Sequence, residues 1–126
     1  MRVVAPVNAS DVAHEREATG PAPVQAPVTL SATLISPSVS LPHIFPVKTG
    51  ASDIRTNERK AYIHIVQSSG YNTNAASGAT IKVSSGSSTV ELREGDGAYI
   101  WGEAGKELTV ENVGDRVGEV LLFDVE

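Results

Sequence analysis

Gly95 to Asn112 reads GDGAYIWGEAGKELTVEN, and this stretch decides the architecture. AYIW (Ala98 to Trp101) and KELTVEN (Lys106 to Asn112) carry the aromatic and β-branched residues that suit strands, with a glycine turn between them. Gly95-Asp96 is a turn pair that feeds the first of them. The same alternation of strand and turn continues in both directions. C-terminally, GEVLLFDV (Gly118 to Val125) is a further strand. N-terminally, ATIKV (Ala79 to Val83) and TVEL (Thr89 to Leu92) flank an SSGSS turn as a hairpin. Beyond the SSGYNTNAASG loop, KAYIHIVQ (Lys60 to Gln67) is the strongest strand of the chain, preceded by the polar loop KTGASDIRTNER. VSLPHIFPV (Val39 to Val47) contains Pro42 and Pro46 and so suits an edge, because proline donates nothing to a ladder. VTLSATLIS (Val28 to Ser36) ends at a Pro37-Ser38 turn.

Eight short, closely spaced strands without a long helix predict an all-β chain, built as an antiparallel barrel or a two-sheet jelly roll. Residues 1–27 are different in kind. DVAHEREA (Asp11 to Ala18) suits a helical turn or two, and the TGPAPVQAP that follows is Pro- and Ala-rich, which stiffens a chain without giving it a core. The expected organisation is a disordered, flexible N-terminal arm at 1–27 and one domain at 28–126; 126 residues suffice for one core, not two.

Composition excludes several functions. A net charge of −5 repels a phosphate backbone, so general nucleic-acid binding is not expected. The basic residues Lys48, Arg55, Arg59 and Lys60 read as a solvated loop. With no cysteine there is no disulfide, thiolate-zinc site or thiol nucleophile. No apolar run is long enough to span a bilayer, and the N-terminal apolar stretch, broken by Pro6, is too short for a secretory signal core.

The decisive stretch also carries a motif. Cupins, small double-stranded β-helix or jelly-roll barrels, have the pattern G-x5-P-x-G-x2-H-x3-N. Gly97, Gly105 and Asn112 match it in register, after the Gly95-Asp96 turn. Glu103 stands at the Pro position and Leu108 at that of the metal-binding His. The other cupin motif, HxH followed by Glu, aligns Ala61 with the Glu and Asp53 to Asn57, which contain no His, with the pair; a slipped register would offer Glu58. RKAYIHIVQSSGY, ELREGDGAYI, GKELTVEN and GEVLLFDVE together resemble the C-terminal cupin domain of the pirin family, over about residues 28–126. The resemblance implies a barrel without metal, since pirins hold iron in their N-terminal cupin. It also implies a cytoplasmic or nuclear setting and a pirin-type regulatory role, or, as the alternative, a quercetin-dioxygenase-like oxidoreductase. That enzyme would need a separate metal-bearing N-terminal cupin, and iron is a cofactor only in that alternative.

The residues agree with a degenerate site. The remaining candidate donors are His43, Glu58 and His64; His14 falls in the arm. Alternation in KAYIHIVQ puts Ala61, Ile63 and Ile65 on one face and Tyr62, His64 and Val66 on the other. His64 is therefore expected to point away from the barrel interior, and Tyr62, His64 and Val66 to form an outer interaction surface. A His43–Glu58 pair is too small a set for a catalytic metal. Tyr99 and Trp101 share one face; core packing is favoured for them, with stacking on a ligand as the alternative. Glu94 and Asp96 are read as turn residues, and no GxSxG elbow or phosphate-binding glycine loop is present. The interior is expected to be aliphatic where relatives place metal ligands. The chain thus reads as a non-catalytic binding module with no catalytic or cofactor-binding residues; its partner is a protein or a second copy, with a small apolar ligand as a further candidate.

Overall fold

The computed structural model describes residues 2–6, 22–24, 28–46, 58–67 and 78–125. Its strands are β1 (Arg2–Pro6), β2 (Ala22–Val24), β3 (Val28–Ile35), β4 (Ser40–Ile44), β5 (Glu58–Val66), β6 (Thr80–Ser85), β7 (Ser88–Arg93), β8 (Gly97–Glu103), β9 (Glu107–Asn112) and β10 (Gly118–Val125). They form a six-stranded sheet in the order β2-β1-β3-β10-β5-β8 and a four-stranded sheet in the order β4-β9-β6-β7. All pairings are antiparallel except β1 with β2. Among the described residues there is no helix. The eight expected strands are β3 to β10, and β4, with Pro42, is an edge strand. Within the segment expected as an arm, β1 and β2 extend the edge of the larger sheet. Asp11 to Ala18, His14, Lys48 and Arg55 lie outside the described residues.

The period of two in β5 fixes the inside of the sandwich. Ala61, Ile63 and Ile65 are buried and alternate with half-buried Tyr62, His64 and Val66. Ile81 and Val83 of β6, Leu108 and Val110 of β9, and Val120 and Leu122 of β10 meet them from the other strands, with Ile35 and Phe45 closing the cluster. Burying each of the larger aliphatic side chains stabilises the fold by about 1.5–3 kcal/mol.

The motif residues serve this framework. Gly95 (φ 88°) and Gly105 (φ 81°) take left-handed turn conformations that cost a side chain energy. Gly105 also donates its N–H to the Phe45 carbonyl at 2.8 Å, tying the β8–β9 turn to the end of β4. Asn112 is wholly buried. Its Nδ2 donates to the carbonyls of Ile35 (2.8 Å) and Arg116 (2.6 Å), and its Oδ1 accepts from the Gly114 N–H (3.0 Å). One amide therefore joins the end of β3 to the β9–β10 turn.

Candidate functional site

Ala61 and Leu108, the positions aligned with the motif carboxylate and imidazole, both face the interior and are 3% and 0% exposed. The neighbouring strands bring polar groups beside each of them. Across the β5–β10 ladder Asp124 is the partner of Ala61, and across the β4–β9 ladder His43 is the partner of Leu108. Asp124 Oδ1 accepts from Arg59 Nη2 at 2.7 Å, and Oδ2 lies 3.0 Å from His43 Nε2. Arg59 and Asp124 are buried and His43 is half-buried, its ring edge-on to Phe45 at 5.4 Å. Burial alone would raise the Asp124 pKa, but the hydrogen bonds and charge of His43 and Arg59 outweigh it and hold the carboxyl below its ordinary range.

Several expectations are corrected here. Arg59 is not part of a solvated loop: β5 begins at Glu58, so Arg59 shares the inward face of Ala61 and Ile63. The interior is aliphatic at the motif positions, Ala61 and Leu108, and beside them it also contains the buried Arg59–Asp124 pair. His43 joins Asp124, not Glu58; Glu58 is exposed on the outer face of β5, opposite exposed Glu103 of β8. Asp124 and Arg59 were the residues missed, though strand alternation marks both. Asp124 follows Val120 and Leu122 at intervals of two, as Arg59 precedes Ala61.

His64 lies on the outer face of β5, as alternation requires, with its Nδ1 3.5 Å from the Tyr62 hydroxyl. Tyr99 and Trp101 are not core residues. They are 82% and 64% exposed, because Ala98 and Ile100 take the inward positions of β8. Lys60 Nζ sits 4.7 Å above the Trp101 ring, and Tyr99 packs on Tyr62 at 5.1 Å. Glu94 is buried and accepts from the Ala79 N–H at 3.3 Å; Asp96 accepts from the Arg93 N–H at 2.9 Å, which makes both of them turn residues.

No protein-family model matches the sequence, and no curated protein matches it. The fold does have solved counterparts. The Cupin_2 domain of an XRE-family transcriptional regulator from Enterobacter cloacae superposes with a TM-score of 0.52 at 10% identity, over 79% of this chain and 82% of that one. TT1209 from Thermus thermophilus gives 0.51 at 14% identity, over 81% and 76%. The Cnp3 cupin domain of Schizosaccharomyces pombe gives 0.50 at 8% identity, over 81% and 55%. The fold is a cupin barrel. Identities this low establish the fold and leave activity to the residues themselves.

In a cupin barrel a catalytic metal needs about four nitrogen or oxygen ligands converging on one point. Among the described residues no three His, Asp or Glu gather closely enough for that. Of the two that do meet, Asp124 is already neutralised by a guanidinium at 2.7 Å, a charge that would repel an incoming cation. The described residues of this interior do not gather the donors that a metal ion needs. What the barrel does offer is a cleft of about 340 Å³ between edge strands β7 and β8. Val83, Ile100 and Leu108 contribute to its lining, with Val90, Trp101 and the hydroxyl residues Ser88 and Thr89.

Proposed function

We propose that this cupin barrel is a metal-free binding domain that takes a small apolar molecule into the cleft between β7 and β8. The observation that supports this reading is the apolar wall of the cleft. Val90 and Trp101 expose it and Ile100 adds to it, with wholly buried Leu108 behind them at the motif's imidazole position, where an aliphatic side chain offers no ligand to a metal. Burying apolar ligand surface there gains about 25 cal/mol per Å². The hydroxyls of Ser88 and Thr89 would orient a polar substituent. The cellular role we assign is regulatory, of the pirin type, in the cytoplasm or nucleus. It rests on the pirin-like runs around Tyr62, Gly95 and Val110. A barrel of the same fold within a transcriptional regulator is the structural precedent.

Two measurements test the proposal. Purified protein incubated with ferrous, manganous, nickel and zinc ions is expected to retain far less than one equivalent of any of them after gel filtration. One tightly held equivalent, lost on His43→Ala, overturns the metal-free reading. A neutral naphthalene dye is expected to bind at one site and quench Trp101, the single tryptophan. Val90→Glu at the cleft is expected to weaken dye binding about tenfold. Dye binding unchanged by that substitution, in a protein that remains folded, overturns the cleft assignment.

A further inference from the structure

Strand β8 is an edge strand. Among the described residues it pairs with β5 and has no strand on its other side. The turn before it fixes which groups face that bare side. Ile65 N–H donates to the Asp96 carbonyl at 2.9 Å, so Ile65 and Asp96 form a hydrogen-bonded pair of the antiparallel ladder. Alternation then turns the N–H and C=O groups of Ala98, Ile100 and Gly102 towards β5. Those of Gly97, Tyr99, Trp101 and Glu103 point to the bare side. The Glu103 carbonyl accepts from the Lys106 N–H at 3.0 Å; the other groups of this set have no such turn to bond. Edge strands are usually guarded by proline or charge. β4 has Pro42, and β7 has Glu91 and Arg93, whereas β8 carries no proline and, from Gly97 to Gly102, no charge. The space beside it is open. Val90 of β7, an inward residue opposite buried Val83, is 44% exposed.

We propose that β8 pairs edge to edge with the β8 of a second copy, antiparallel and in register about Ile100, so that two six-stranded sheets become one. The argument for a copy is that GAYIWGE matches itself when reversed. With Ile100 against the partner's Ile100, Gly97 meets the partner's Glu103, Ala98 the partner's Gly102 and Tyr99 the partner's Trp101. Symmetry makes each of these pairs occur twice. On the inward face small residues meet small ones around the two isoleucines. On the outward face a tyrosine ring meets a tryptophan ring in both pairs, a favourable cross-strand combination. The one charged residue of the strand, Glu103, falls opposite a glycine. The two Glu103 residues stand about 20 Å apart, at about 3.4 Å per residue. Each acidic Glu58–Glu103 row continues into the partner's Gly97–His64 row, so no acid faces an acid across the contact. The backbone agrees with this register. The residues it sets opposite each other, Tyr99 with the partner's Trp101 and Gly97 with the partner's Glu103, are the ones whose donors and acceptors point to the bare side. About six main-chain bonds result: Tyr99 and Trp101 exchange four, and the two Glu103 N–H groups donate to the partner's Gly97 carbonyls. A foreign strand needs no such reversal symmetry; an isologous contact demands it. The contact needs no ligand in the β7–β8 cleft and does not rest on that reading.

Sedimentation equilibrium of the full chain tests this. One strand pair buries little area, so the wild type is expected as a weak dimer, at twice the 13.2 kDa chain mass at about 100 μM and monomeric at about 1 μM. Glu103→Pro removes a donor that the contact uses twice and the β5 ladder does not use. It should weaken the dimer about tenfold or more in a protein that circular dichroism shows to be folded. Glu103→Ala keeps the N–H and should stay within about threefold of wild type. The chain has no cysteine, so single ones report the register. Ile100→Cys sets two thiols in a non-hydrogen-bonded pair with Cα atoms about 4.5 Å apart, and should cross-link on mild oxidation. Ala98→Cys, opposite the partner's Gly102, should not. A wild type monomeric at about 100 μM, a dimer indifferent to Glu103→Pro, or Ala98→Cys cross-linking as fast as Ile100→Cys overturns the proposal. A monomer that binds a foreign strand along β8 overturns it equally. Glu103 and Ala98 do not line the β7–β8 cleft, and neither mass nor cross-linking reads dye binding. Dye titrations of Val90→Glu at about 1 μM, where the chain is monomeric, test the cleft by itself. A monomer that still binds dye at Val90 sinks the strand pairing alone. A dimer whose dye binding ignores Val90 sinks the cleft alone.

Discussion

Arg59 and Asp124 meet at 2.7 Å inside the barrel, and the guanidinium Nε has no hydrogen-bond partner. Breaking such a pair from one side leaves a buried charge uncompensated. Asp124→Ala is therefore expected to cost about 3–5 kcal/mol in urea denaturation. Arg59→Met/Asp124→Leu, which removes both charges and keeps the volume, should recover most or all of that loss. If the double variant is no more stable than the single, the pair contributes through packing and not through charge.

The same carboxylate predicts a pH dependence. Burial opposes its ionisation, but His43 and Arg59 outweigh burial, so its folded pKa lies below the ordinary 3.8. A depressed folded pKa means that the unfolded chain binds the proton more readily. The stabilisation is fully present above the ordinary value and is lost as pH falls below it through the folded value. Wild-type stability should drop in that acid window, and the drop should be smaller in Asp124→Asn. Urea midpoints measured between neutral pH and the acid limit check this.

Two glycines separate a rigid neighbour from a mobile one. A Cβ on Gly102 would lie 2.4 Å from the ring of wholly buried Phe45, whereas on Gly97 it would meet the half-buried Tyr62 ring. Gly102→Ala is expected to cost about 1–3 kcal/mol. Gly97→Ala should cost less, because the half-buried Tyr62 ring can swing outward. Thermal unfolding of the two variants side by side checks the ranking, and equal losses would contradict it.

Asn112 is a structural residue on this geometry, and its replacements rank accordingly. Asn112→Ala leaves the Ile35 and Arg116 carbonyls without their donor, at about 1–3 kcal/mol for each buried group left unpaired. Asn112→Asp should be worse at neutral pH, because it sets a charged acceptor against two carbonyl oxygens. The gap between the two variants should narrow on acidification. Equal stability of the two variants at neutral pH would contradict this assignment.

The sequence by itself determined the strands, their faces and the degenerate motif. Alternation in KAYIHIVQ put Ala61 inside and His64 outside, and the glycines at 95 and 105 marked turns that require positive φ. These are local properties, written in a period of two and in single-residue conformations. It misjudged Tyr99 and Trp101, because composition tells which residues share a face of β8 but not which face meets the other sheet. Only the tertiary structure brought His43 to Asp124, 81 residues away, and Arg59 to the same carboxylate across 65. It also aligned Tyr99, Tyr62, Phe123 and Leu30 in one row across four strands. Pairing across such separations depends on strand order and register, and no local pattern encodes those.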